Sequence, residues 1–127
     1  KTLGLTLLEP HINYTNHVMT TLESGIDLKG IAHITGGGLF ENIPRVLPEG
    51  LGAQIKKDCW PKLPVFTLMQ SLGNVHEKEM YRAFNMGIGM VFIIDPKDQD
   101  QLQDHLLKHT KSYRIGVISK TDSVTIV

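Results

Sequence analysis

Cysteine is almost missing from this chain of 127 residues: Cys59 stands alone, which excludes an internal disulfide and suits a reducing compartment. No run approaches the ~20 apolar residues that a membrane-spanning helix requires. An excess of either charge is lacking too, because 13 basic residues balance 13 acidic ones without long blocks. A nucleic acid or an anionic membrane would find no basic footprint here, so neither is an expected partner. There are no internal repeats and no low-complexity segments. The expectation is a cytoplasmic chain forming one domain over residues 1–127, long enough to bury roughly two-thirds of its unfolded surface without a staple. Lys1 opens directly onto Leu3, Leu5, Leu7 and Leu8 without a cap or a targeting pattern, which suggests a cut end more than a natural terminus.

What stands out is the stretch Gly30–Pro48. A short apolar run, Ile31, Ala32, His33 and Ile34, meets Gly36, Gly37 and Gly38 and then a segment able to start a helix. Glycines tolerate positive φ and carry no side chain, so several N–H groups can line one concavity that a ligand approaches closely. A helix starting there adds its own free N–H groups and dipole, and phosphate is the natural guest. The alternative is a tight strand-to-helix connection with no ligand. The P-loop pattern is not met, because no Lys-Ser/Thr follows at the required distance, and neither is G-x-G-x-x-G. Glu41, Asn42 and Arg45 put a carboxylate, an amide and a guanidinium beside the loop, and the guanidinium fork suits phosphate. Pro44 is expected to push Ile43 out of the α region, so the regular helix either starts near Pro44 or kinks there.

Elsewhere the pattern alternates helices and strands. Thr15–Ser24 reads as a helix with Thr15 or Asn16 as N-cap and Gly25 past its end. A short strand is expected near Gly52–Lys56, and Trp60 is a packing anchor. Pro64 opens a helix whose Val65, Phe66, Leu68, Met69 and Leu72 form a core face, ended by Gly73-Asn74. A further helix covers His76–Phe84 and runs into Asn85–Ile94, read as the best strand of the chain. There Gly87 and Gly89 share one face, bare enough for a ligand or another backbone, and Asn85 is either a ligand group or a C-cap. Asp95-Pro96 starts a helix with Leu102, Leu106 and Leu107 as its apolar stripe. Tyr113–Ser119 and Ser123–Val127 close the chain as two strands, read as a hairpin around Thr121-Asp122. The class is α+β, a mixed β-sheet covered by helices.

No metal site is expected. His76-Glu77 has Met80 where a zinc-protease motif needs its second His. His105 and His109 lie one turn apart without a third ligand nearby.

The strings Ala32–Pro48 and Glu79–Met90, with Leu7–Pro10 upstream, resemble the C-terminal half of the aminoimidazole ribonucleotide synthetases, the phosphoribosylformylglycinamidine cyclo-ligases of purine biosynthesis. The resemblance runs along the whole chain. One departure follows Pro10: the family has Thr, a basic residue, Ile and Tyr where this chain has His11, Ile12, Asn13 and Tyr14, so the basic position's role does not carry over.

The resemblance implies a C-terminal domain partly like a ferredoxin-type sandwich, packed on an N-terminal ATP-binding domain that this chain lacks, in a full-length homodimer. The implied reaction is ATP-dependent closure of the imidazole ring of formylglycinamidine ribonucleotide. ATP and magnesium are then held mainly by the other domain. This half would offer Gly36, Gly37 and Gly38 as a cradle for the phosphorylated substrate, with Asn42 and Arg45 positioning the phosphate. His33 would donate to charge at the reacting oxygen, and Asn85, Gly87 and Gly89 would line the same cleft. A satisfied strand histidine is the other reading of His33. Other functions left open are another enzyme of the same ATP-dependent superfamily, or a non-catalytic phosphate-binding or dimerising module.

Overall fold

The computed structural model describes residues 1–127. Its first helix, α1 (Leu3–Leu7), is capped by Thr2 and buries none of its residues. Helix α2 (Thr15–Glu23) has Tyr14 at its N-cap, not Thr15 or Asn16. Asn13 supplies the missing acceptor one residue earlier, its Oδ1 taking the Thr15 N–H at 3.0 Å. Strand β1 (Leu28–His33) then enters the glycine turn, which leads into the short helix α3 (Gly38–Asn42).

Ile43 keeps α-helical angles (φ −65°, ψ −46°) although a proline follows, contrary to the expectation. Its side chain is 1% exposed, so core packing outweighs the steric preference that a following proline imposes. Pro44 opens a single 3₁₀ turn, Pro44–Val46.

Strand β2 (Gly52–Ile55) is followed by helices α4 (Pro64–Gly73) and α5 (Glu77–Ala83). Strand β3 (Met90–Ile94), a 3₁₀ turn capped by Asp95, helix α6 (Gln99–Leu106) and strands β4 (Gly116–Ser119) and β5 (Val124–Ile126) complete the chain.

The α+β class and the mixed sheet are as expected, but the strands divide into two sets. β1 pairs antiparallel with β3, placing His33 opposite Met90. In the second set β2 lies between β4, antiparallel, and β5, parallel. The final strands therefore form no hairpin with each other. The loop between them crosses the end of β2, where a Cβ on Gly52 would stand 2.0 Å from the Ser123 carbonyl oxygen, so β2 takes the central place and satisfies both neighbours. A cavity of about 590 Å³ separates the sets, lined by β3, α6 and β4.

Ile34, Leu39 and Ile43 are at most 1% exposed and form the centre of the main core with Ile55, Trp60 and Tyr81. Each contributes roughly 1.5–3 kcal/mol of apolar transfer. Trp60 is the anchor expected, 5% exposed with its Nε1–H donating to the Met86 carbonyl at 2.9 Å. A smaller cluster joins Ile26 to Leu102 and Leu106, while Leu107 is 68% exposed and lies off the stripe. Helix α4 departs from the core reading: none of its residues is buried, and Leu72 is 77% exposed. It packs on α1 and α5 with Val65, Phe66 and Met69 half-buried and Phe66 against Phe84 at 5.8 Å between ring centroids, while Leu68 and Leu72 leave its apolar face partly open. No helix is long and apolar enough to cross a membrane.

Candidate functional site

The glycine turn sits where β1 ends. Gly37 (φ +97°) and Gly38 (φ +60°) take left-handed angles that favour glycine, but they face different things. A Cβ on Gly38 would stand 1.8 Å from the Tyr81 carbonyl oxygen, so Gly38 lets α3 close onto α5. One on Gly37 would meet the Glu41 side chain at 2.6 Å, and one on Gly36 would meet nothing within 4 Å.

Behind the turn lies Asn42, 5% exposed. Its Nδ2 donates to the carbonyls of Thr35 (3.2 Å), Gly36 (3.2 Å) and Gly38 (2.9 Å). All peptides here are trans. In a trans peptide the C=O and the following N–H point in opposite directions. Gathering those three carbonyls on the Asn42 side therefore turns the N–H groups of Gly36, Gly37 and Leu39 the other way. None of the three finds an acceptor within the chain, but Leu39 is fully buried, so the groups open to a ligand are those of Gly36 and Gly37. Arg45 is exposed beside them, held by one Nη1 bond to Asn42 Oδ1 at 3.3 Å, with the rest of its fork free. The Glu41 carboxylate also leans over the turn, 3.9 Å from Arg82, which pairs in turn with Glu79.

The second glycine segment is a turn, not a strand face. Met86 (φ +53°) and Gly87 (φ +95°) reverse the chain, and β3 starts only at Met90. Asn85 builds that turn, its Oδ1 accepting the Gly87 N–H at 2.9 Å; the helix C-cap is Phe84. Gly87 is exposed. Gly89 is buried beneath Tyr14, whose hydroxyl oxygen would lie 2.2 Å from an added Cβ. Burial pushes the Tyr14 phenol up, partly offset by the Gly89 backbone amide. The two turns touch: the Ile34 N–H donates to the Gly89 carbonyl at 2.9 Å. Gly36, Gly37, Asn42, Arg45 and His33 thus cluster around one turn, with Asn85 and Gly87 on its neighbour.

His33 is exposed at the end of β1, not a buried strand histidine. Its Nε2 meets Nε2 of His11 at 3.0 Å. His11 had no signal in its own neighbourhood; the one hint was that it replaces a Thr of the resembling family. The other histidines disperse. His105 Nε2 meets Thr20 Oγ1 at 3.2 Å, while His109 packs on His17, ring centroids 5.3 Å apart. His76 caps α5. No three His, Cys, Asp or Glu side chains gather anywhere in the chain.

Residues 1–127 match the family described as AIR synthase related protein, C-terminal domain. The chain belongs to that family. The phosphoribosylformylglycinamidine cyclo-ligase of Acetivibrio thermocellus is 44% identical over 127 residues, covering 98% of this chain and 37% of that protein. The enzyme of the same name from Desulfitobacterium hafniense is 53% identical over 120 residues, covering 94% of this chain and 35% of its own length. This member of the family therefore spans a little over a third of the curated relatives it matches. Among solved structures, E. coli HypE superposes with a TM-score of 0.69 at 18% identity, over 98% of this chain and 40% of that one, which shows a shared fold.

Proposed function

We propose that this domain is the substrate-side part of a two-domain, ATP-dependent cyclo-ligase that closes the imidazole ring of formylglycinamidine ribonucleotide to give aminoimidazole ribonucleotide. The observation that carries the reading is the Asn42 clamp, which turns the unpartnered N–H groups of Gly36 and Gly37 outward beside a free arginine fork. Backbone N–H groups fixed in one concavity bind an anion without side-chain reorganisation, which is what a substrate phosphate needs. In this reading the N–H groups of Gly36 and Gly37 hold the phosphate, Gly38, expected in the cradle but with its N–H given to the Thr35 carbonyl at 2.9 Å, shapes the turn, and Arg45 adds a charged pair of donors. Asn42 positions the phosphate through the shape of the loop. His33 donates to negative charge at the reacting oxygen, and Asn85 and Gly87 form the adjoining wall, while Gly89, expected there too, is covered by Tyr14.

ATP, when bound, supplies the phosphoryl group that activates the substrate oxygen, with magnesium offsetting its charge. Magnesium asks for clustered carboxylate oxygens, and the scattered acidic side chains of this chain do not fit that demand. Both are assigned to an N-terminal domain in the rest of a cytoplasmic enzyme that is homodimeric at full length. Supporting that arrangement, Leu3, Leu5, Leu7 and Leu8 on and after α1 are 49–78% exposed, and Leu68 and Leu72 of the adjacent α4 are open as well. Such a surface suits a covering domain better than a free-standing module.

The test is complementation. The purified chain is mixed with a separately expressed N-terminal half of a relative, and ATP-dependent formation of aminoimidazole ribonucleotide is assayed. Turnover only in the mixture, weakened by Arg45→Ala, is expected. No turnover from two folded, associating halves would refute the reading.

A further inference from the structure

His11 and His33 are brought together by a closed circuit of contacts. The His11 ring stands edge-on to Tyr14, with centroids 5.7 Å apart and planes at 74°. Tyr14 lies on Gly89, and the Gly89 carbonyl accepts the N–H of Ile34, the residue after His33. His33 then closes the circuit on His11, with centroids 5.0 Å apart, planes at 67° and Nε2 to Nε2 at 3.0 Å. Neither ring is part of an ion pair, so each has the other as its only side-chain hydrogen-bond partner.

A neutral imidazole carries one N–H. A bond between two Nε2 atoms therefore needs one ring in the Nε2–H form and the other in the Nδ1–H form. If His33 were the donor, its remaining nitrogen would be a bare lone pair, unable to serve an anion or a developing oxyanion. If His11 is the donor, His33 keeps an N–H at Nδ1 for the ligand.

We propose that His11 is a positioning residue for His33: its Nε2–H donates to His33 Nε2 and locks His33 in the Nδ1–H tautomer. This deepens, and rests on, the reading of His33 as a donor at the ligand site. An unrestrained imidazole in water prefers Nε2–H, so the lock inverts the intrinsic preference. His11 thereby decides which hydrogen-bonding character the end of β1 offers to a ligand, without touching the ligand itself.

Ring tautomers are read directly from long-range proton–nitrogen correlations of the ¹⁵N-histidine-labelled chain. The correlations are recorded at about pH 8.5, ~2 units above the ordinary imidazole value. The expected spectrum shows His33 protonated at Nδ1 and His11 at Nε2. His11→Gln, whose amide can still donate, keeps the His33 pattern. His11→Thr, which cannot reach, releases His33 toward Nε2–H. Backbone amide spectra of both exposed-site variants report that the fold is intact. His33 carrying its proton at Nε2 in the parent chain, or an unchanged His33 pattern in His11→Thr, overturns the proposal.

Turnover in the complementation mixture separates the two layers. With the donor role intact, His11→Thr lowers kcat about three- to tenfold, the equivalent of one hydrogen bond, while inorganic phosphate binds it as tightly as the parent chain. If the tautomers are as stated but His11→Thr turns over like the parent, the lock by His11 stands and the donor role of His33 falls.

Discussion

Replacing Asn42 by alanine separates a clamp from a ligand group. Asn42 is 5% exposed and its amide holds three carbonyls at 2.9–3.2 Å. An amide carries two N–H groups, so the three contacts amount to two hydrogen bonds with one of them shared, and at about 1 kcal/mol net each Asn42→Ala is expected to cost about 2 kcal/mol. For 127 residues the unfolding entropy is about 0.27 kcal/mol/K, so the midpoint should fall by about 7 °C. Thermal unfolding followed by far-ultraviolet circular dichroism measures it, with urea denaturation at 25 °C as the independent check. Phosphate affinity should fall in parallel, since the Gly36 and Gly37 N–H groups lose their common orientation. Asn42→Asp should be at least as damaging, because a carboxylate would face three carbonyl oxygens. A variant that keeps its midpoint within a degree or two while losing phosphate binding would show that the amide contacts the ligand, and the clamp would be wrong.

The glycines of the turn should separate in the same assay. Gly38→Ala places a Cβ 1.8 Å from the Tyr81 carbonyl oxygen at φ +60° and should cost ~3 kcal/mol or more, whereas Gly36→Ala, with nothing within 4 Å, should stay within about 0.5 kcal/mol. Equal shifts would sink that distinction. Glu41→Gln removes a carboxylate lying over Gly37, so calorimetry at low ionic strength should show tighter phosphate binding, with the gain fading as salt rises; weaker binding would mean that the anion sits elsewhere. His17 is 9% exposed with both ring nitrogens unpartnered, and burial followed by the neighbouring His109 holds it below the ordinary imidazole value. The folded state therefore binds its proton less readily than the unfolded chain. Stability should be full above about pH 6.5 and decline as the pH drops toward the lower folded value. Urea midpoints between about pH 8 and pH 5 follow this, and His17→Leu should flatten the decline; an unchanged slope would assign it to other groups.

Elements marked by local punctuation were legible. Pro64 and Gly73-Asn74 bracket α4, Asp95-Pro96 starts the segment leading to α6, and the Ile31–Ile34 run meets the tri-glycine where β1 ends. What failed depended on distant partners. An apolar helical stripe looks the same whether or not something covers it, so the open face of α4 was invisible. β2 enters between β4 and β5, and nothing near Thr121-Asp122 announces that. The Gly-x-Gly spacing at Gly87 and Gly89 suggested a stripped strand face, but the chain reverses there and Tyr14 fills the space over Gly89. For the site, residue type was legible and direction was not: an Asn beside a glycine loop fits both a ligand group and a clamp. The three carbonyls around Asn42 favour the clamp.

That direction changes what kind of site this is. Of five conspicuous glycines, Gly38 and Gly89 admit neighbouring protein atoms, and Gly87 reverses the chain. Gly36 and Gly37 remain as N–H donors turned outward. The donors on the turn itself are backbone groups, with Arg45 the side-chain cation held at its rim. Apart from proline, no substitution deletes a backbone donor, so in the proposed anion site the affinity would be controlled from behind, through Asn42 and the fit of Gly38 against Tyr81. Substitutions there should change stability and anion binding together. Arg45→Ala should weaken the anion alone, since its fork carries charge but little of the fold.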